Sequence, residues 1–368
     1  GQGPLQALDL LSKRVRGLNL ALKVTSLQPL GAALYHAAVF PPAPHPLARA
    51  GGESAHMVSG EGNVPKCLDP IDAILHLEGS GRWPDDLEAI GKMKASLALQ
   101  IAKSLADGFQ VHSLPSEEHL DVLFEGYAFR LHVHTPQDEA LQRKVELSGK
   151  KKGAGRFVGA AARLLSRARH AGAMQGVIAQ HPSAGPTMRL AKRWVAAHMF
   201  SAHLNEEAIE SLVAHAYTEP GPGLAPAGHI PAFLRFLSLL ATHPWAARPL
   251  VADAGGDIPA GVRSAQEARF QQLRAQGSKE HAMYLITPGD PASSGTAARP
   301  SGDVLARISS YARKSFRSLS RLVAGEGAPP GGHPAAAWLA PFQTPLDCYD
   351  VVLRLRRSAL AAPGRALP

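Results

Sequence analysis

Ile71-Asp72-Ala73-Ile74-Leu75-His76-Leu77-Glu78-Gly79-Ser80-Gly81-Arg82-Trp83-Pro84-Asp85-Asp86-Leu87-Glu88-Ala89-Ile90 joins a short apolar run to a Gly-Ser-Gly turn and then to the start of a helix. Ile71 to Leu77 reads as a buried strand, because a brief apolar run bounded by glycines suits a pleated environment. Past the turn, Pro84 suits a first helical turn, and Asp85, Asp86 and Glu88 complement the positive end of a helix dipole. Ile90, Met93, Leu97 and Ile101 then trace one apolar face at helical spacing. Upstream, Leu8, Leu11, Val15, Leu18 and Leu22 keep the same rhythm. Downstream, the apolar runs Leu120 to Phe124 and Tyr127 to Val133 flank Glu125-Gly126, the pattern of a tight hairpin. Strand, helix and antiparallel strands predict a mixed α/β domain over residues 1–150.

From about residue 153 the pattern turns helical, so the expected class is α/β plus α, with a helical domain over 151–325. Asn205 is placed to cap a helix whose Ile209, Leu212, Val213, Ala216 and Tyr217 form one apolar face. Met188 to Phe200 predicts another helix, with Leu190, Ala191, Trp194, Val195 and Met199 on the core side and Arg189, Lys192 and Arg193 on a basic side. His198 and His203 are expected at the surface. Met283 to Thr287 predicts a lone strand, and Val304 to Val323 a basic amphipathic helix. Leu346 to Leu355 alternates as a strand that would open a third unit over 326–368. Pro/Gly/Ala-rich punctuation at 41–66, 219–229, 252–262, 288–302 and 325–345 separates these blocks.

With 368 residues the chain exceeds what one hydrophobic core usually organises, and 45% hydrophobic residues support folding despite 35 glycines and 30 prolines. Two cysteines, Cys67 and Cys348, leave no disulfide framework, zinc knuckle or Cys-x-x-Cys redox pair, which fits a reducing compartment. No run approaches the roughly 18 apolar residues of a membrane span, so no membrane partner is expected. The chain opens on Gly1 with no charged-then-apolar leader, and it is expected to be a piece of something longer.

A net charge of +9 and a pI near 9.7 favour phosphate-rich partners through counterion release. The excess is concentrated. Arg143 to Arg169 carries nine Lys or Arg against the single acid Glu146, and Arg307 to Arg321 carries five with none. Such runs are also ordinary solvated faces. Aromatics make up only 6%, and no strand motif offers a stacking platform, so backbone contacts are expected to dominate any nucleic-acid binding.

A Gly-Ser turn after a strand, ahead of a helical domain, invites comparison with template-independent nucleotidyltransferases. These need two carboxylates alternating on one strand plus a third on a neighbour to hold two metal ions. Counting on from the Gly-Ser reaches Ala89 to Met93, inside a helix and without the pair. Asp69 and Asp72, like Asp347 and Asp350, are three apart and point to opposite strand faces. The rival expectation is an enzyme using unconventional carboxylates such as Asp72 and Asp121. His132 and His134 would share a strand face, but no third ligand sits at a convincing spacing. No catalytic residue, metal site or cofactor is expected.

The strings Leu77 to Ile90, Arg189-Leu190-Ala191-Lys192-Arg193-Trp194-Val195 and Pro345-Leu346-Asp347-Cys348-Tyr349-Asp350-Val351-Val352-Leu353-Arg354-Leu355 resemble successive landmarks of the Nrap family, with Phe233 to Leu237 and Leu285 to Pro288 between them in order. The resemblance implies a nucleotidyltransferase-like domain, then a poly(A)-polymerase/oligoadenylate-synthetase-like helical domain and the start of a final domain. It also implies a nucleolar scaffold of the small-subunit processome in pre-18S ribosomal RNA maturation. Nucleotidyl transfer would be lost, and the partners would be pre-rRNA, small nucleolar ribonucleoprotein components and other processome proteins. On charge alone, Lys150, Lys151, Lys152 and Arg156 are candidate RNA contacts at the interdomain linker, and Arg189, Lys192 and Arg193 on a helical face.

Overall fold

The computed structural model describes residues 3–42, 70–79, 83–84, 87–135, 137–138, 155–218, 225–278, 280–326, 334–344, 346, 350–353 and 356. They group into two units, one built mainly from residues up to Ala171 and one mainly from Gly172 to Leu355.

The first unit contains α1 (Gly3–Arg16), β1 (Val24–Pro29), β2 (Ile71–Leu77), α2 (Leu87–Phe109), β3 (Ser113–Pro115), β4 (His119–Phe124) and β5 (Tyr127–His134), together with the beginning of α3 (Gly155–Gln180). The strands form one sheet in the order β1-β2-β5-β4-β3, in which only β2 and β5 run parallel. Alternation along the strands splits the sheet into two faces. Ala73, Leu75 and Leu77, Phe129, Leu131 and Val133, and Leu120, Val122 and Phe124 share a buried cluster with Leu8, Leu11 and Val15 of α1 and Ile90, Leu97 and Ile101 of α2. The helical stripes and the strand read from sequence are therefore one core. α2 is described from Leu87; Pro84 lies ahead of it, and Asp85 and Asp86 between them lie outside the described residues. The hairpin turns at Glu125 and Gly126, both at positive φ (50° and 83°), the geometry whose twist matches that of two paired strands.

The second unit contains the end of α3, then α4 (Ala184–Ala197), α5 (Glu206–Thr218), α6 (His229–Thr242), β6 (Leu250–Val251), α7 (Ala260–Ala275), β7 (Leu285–Ile286), α8 (Gly302–Val323) and α9 (Pro334–Leu339). Fully buried Trp194 of α4 anchors it, its indole N–H donating to Ser315 Oγ of α8 at 3.0 Å and its ring meeting Phe236 of α6 edge-on. Asn205 Oδ1 accepts from the Ala208 amide at 2.7 Å, the expected cap of α5, whose Ile209, Leu212, Val213, Ala216 and Tyr217 are all buried. The strand expected to stand alone has a partner: β7 pairs in parallel with β6, and Phe270 of α7 packs against Tyr284 beside it.

Three expectations need correction here. His198 is buried, not at the surface, because its Nδ1–H donates to the Trp194 carbonyl at 2.8 Å and its ring packs against Trp194, Phe200 and Tyr311. Met199 is half-exposed, because the chain leaves α4 there at a φ of 59° and turns its side chain away from the core. Residues 346 and 350–353 are not in a strand, and Val351 and Leu353 are exposed; the remainder of the expected strand lies outside the described residues.

Candidate functional site

On the sheet face opposite the α1/α2 core, strand alternation places Asp72 and His76 of β2, Arg130, His132 and His134 of β5, and His119 and Asp121 of β4. Asp72 and Asp121 both sit opposite Arg130, one on each side, so the three form a row across neighbouring strands. Arg130 takes Asp121 in a two-pronged grip, Nε to Oδ1 and Nη2 to Oδ2, both 2.8 Å. Asp72 turns the other way. Its Oδ1 accepts from His132 Nε2–H at 3.0 Å, and its Oδ2 from Arg167 Nη2 of α3 at 2.7 Å. Next to this pair, Gln28 Nε2 donates to the Ala168 carbonyl, a second tie between the sheet and α3.

Burial alone would raise the Asp72 carboxyl, but the hydrogen bonds from His132 and Arg167 and the Arg167 charge outweigh it and bring it from 3.8 to about 2. Asp72 is thus a permanent anion matched to a cation. Burial and the neighbouring Arg130 charge lower His119, whereas the hydrogen bond to Asp121 raises Arg130. Each strand carboxylate on this face is committed to an arginine. The sequence suggested Asp72 and Asp121 as possible metal carboxylates but held no sign of Arg167, which arrives from 95 residues away. His132 and His134 do share the strand face, and the acid near His132 comes from another strand. Among the described residues, no group of three or more His, Cys, Asp or Glu is arranged to hold a metal ion.

Of the expected RNA contacts, Lys150, Lys151 and Lys152 lie outside the described residues, and Arg156 falls in α3 with its side chain outside them. Arg189 and Arg193 are half-buried on α4. Lys192, expected on the same basic face, turns inward instead. It is 5% exposed and its ammonium donates to Glu206 and to the buried Glu210 of α5, because a cation turned inward requires anions to replace its water.

The basic amphipathic helix expected over Val304 to Val323 is α8. Leu305, Ile308, Ala312, Ser315 and Leu319 face inward, while Arg307, Arg313, Lys314, Arg317 and Arg321 are exposed. Arg307 lies over the Phe200 and Tyr311 rings, and Arg313 donates to the Ala241 carbonyl.

Two family models match side by side: the Nrap protein nucleotidyltransferase domain 4 over residues 2–179, and the Nrap protein PAP/OAS1-like domain 5 over residues 181–329. Nucleolar protein 6 of Xenopus laevis is 31% identical over 99% of this chain, and its human counterpart 28% identical over 95%. The U3 small nucleolar RNA-associated protein 22 of Schizosaccharomyces pombe is 28% identical over 77%. The chain spans about a quarter to a third of these relatives' length, 32% of the frog protein and 26% of the yeast one. Among solved structures, a chain of the E. coli MS115-1 CdnC:HORMA-deltaN complex matches at 15% identity and a TM-score of 0.46, covering 93% of this chain and 90% of that one. A cytoplasmic RNA terminal U-transferase matches at 13% identity and 0.39, covering 92% and 90%. With an α/β sheet unit under the first family model and a helical unit under the second, the chain belongs to the Nrap family, as its nucleotidyltransferase-like and PAP/OAS1-like domains in tandem.

Proposed function

We propose that this chain is a non-catalytic, RNA-associated part of a nucleolar scaffold in ribosome biogenesis, acting in the small-subunit processome during pre-18S ribosomal RNA maturation. Relatives named as nucleolar and as associated with U3 small nucleolar RNA support the setting. The partners on this reading are pre-rRNA, small nucleolar ribonucleoprotein components and other processome proteins. The observation that carries the non-catalytic part is the row Asp72, Arg130, Asp121. Two-metal phosphoryl transfer needs carboxylates converging on ions about 3.5–4 Å apart. Carboxylates two strands apart start from backbones roughly 9–10 Å apart. An arginine stands between these two and grips one of them, and a second arginine holds the other. The inherited fold then serves to present surfaces to partners.

RNA contact in this proposal runs through the sequence-unspecific charges Lys150, Lys151, Lys152 and Arg156, with Arg189 and Arg193 and without Lys192. Two measurements test the proposal. Incubation with magnesium, nucleoside triphosphates and an RNA primer is expected to yield no extension, and extension abolished by Asp121→Ala would establish an enzyme instead. Filter binding is expected to show salt-sensitive RNA affinity that the triple reversal Lys150→Glu, Lys151→Glu, Lys152→Glu weakens. If the unaltered chain retains no RNA at low salt, the RNA-associated reading fails and a pure protein-interaction module takes its place.

A further inference from the structure

Within the second unit, a cleft of about 460 Å³ opens between α8, the end of α4 and the 340–346 segment. A second hollow of about 440 Å³ shares Gln343, Thr344 and Leu346 with it and extends to Arg193 of α4. We propose that this groove takes a nucleotide of single-stranded RNA, with the base in the cleft and the flanking phosphates on the exposed basic stripe of α8. The proposal rests on the RNA-associated reading above and assigns it a site.

The chemistry of the walls favours such an occupant. The half-buried Tyr311 ring lines the cleft, backed by the buried His198, and a planar base gains from a ring it can lie against. His198 donates its Nδ1–H to the Trp194 carbonyl, which fixes the tautomer and leaves Nε2 as an acceptor. Ser318 and Thr344 add hydroxyls, and the Gln343 amide both donates and accepts, as the edge of a base requires. Lys314 on the rim makes no ion pair or hydrogen bond among the described residues, and neither does Arg193 at the far end. No acid lines either hollow among the described residues, so an anion entering meets cations at both ends.

The stripe continues the site along the helix. Lys314, Arg317 and Arg321 are three and four residues apart and all exposed, so they project from one side at about 1.5 Å of rise per residue. That spaces the cations by about 4.5 and 6 Å along the helix axis, a row of positive charge that a phosphate backbone can follow. Arg307, lying over Tyr311, adds charge at the cleft's aromatic wall.

The test uses the whole chain and a short fluorescein-labelled single-stranded RNA, with affinity read by anisotropy across a salt series. Lys314→Glu with Arg317→Glu is expected to weaken binding about tenfold and to flatten the salt slope by about 1.4, two single-strand phosphate contacts. Tyr311→Leu is expected to weaken it about fivefold with the slope unchanged, because stacking releases no counterions. Both reversed residues are solvent-facing, so an unchanged thermal melt accompanies the loss and separates it from unfolding. Gln343→Ala, also at the surface, is a second arm expected to weaken binding if Tyr311→Leu disturbs the melt. If the parent chain binds RNA and all these variants bind equally well with the same slope, the groove assignment is wrong while the RNA-associated reading stands. If the parent chain binds no RNA, both fall. Should the variants keep RNA but lose a Glu-rich peptide that the parent chain binds, the groove is a peptide site and the proposal is overturned.

Discussion

Two side chains govern how the charged interior behaves. Asp72 has a folded-state pKa of about 2 against an ordinary 3.8, so the folded molecule binds this proton less readily than the unfolded one. The stabilisation is fully present above the ordinary value and disappears as pH falls from about 4 to about 2. Asp72→Asn removes the anion that Arg167 and His132 hold and is expected to cost about 1–2 kcal/mol at neutral pH. In urea titrations followed by circular dichroism, parent and variant midpoints converge near pH 2. A gap that persists there would show that packing, not ionisation, sets the effect. Lys192 is the stronger case, since Glu210 beneath it is only 1% exposed. Lys192→Met is expected to destabilise the second unit by about 3–5 kcal/mol, because it strands the Glu210 carboxylate without its lysine. Adding Glu210→Gln should recover part of that loss, and a denaturation series of the two single variants and the double checks it.

Elements announced by contiguous residues were legible in the sequence, and those made by distant partners were not. The hairpin was visible because Glu125-Gly126 sits between two apolar runs, and α5 because its cap and its stripe lie within one segment. The partner of β7 is invisible in the sequence because β6 is two residues long, too short to leave a pattern. Lys192 read as basic surface because it neighbours Arg193, while the acids that draw it inward lie 14 and 18 residues on, in another helix. The polar row on the sheet was half legible: Asp72 and Asp121 could be named, but strand order, which sets Arg130 between them, is a tertiary fact. The turn itself carries a prediction. Glu125 adopts a φ of 50°, where an ordinary side chain crowds its own backbone and asparagine is tolerated. Glu125→Asn is therefore expected to stabilise the hairpin by about 0.5–1 kcal/mol, read as a higher urea midpoint. A lower midpoint would mean that the Glu125 side chain contributes a contact worth more than the relieved strain.

Mild acid should act chiefly on the second unit, which holds three of the four histidines that burial lowers among the described residues, the fourth being His119 of the first. His198, His243 and His281, all in the second unit, are each held below the ordinary 6.5 chiefly by burial. A histidine with a depressed folded pKa takes up its proton more readily once unfolded, so stability falls as pH drops below about 6.5 toward the folded value. Asp72 keeps its contribution over that whole range. Trp194, Trp245 and Trp338 belong to the second unit and Trp83 to the first, which weights tryptophan emission toward the second unit. The melting temperature read from that emission is expected to fall steadily between about pH 6.5 and pH 5. General protonation of a chain with 17 histidines also adds repulsion, so the diagnostic comparison is His198→Asn, whose amide can still donate to the Trp194 carbonyl but takes up no proton. That variant should melt less steeply with falling pH than the parent. An identical slope would move the acid sensitivity to His243, His281 or His119, where burial acts in the same direction.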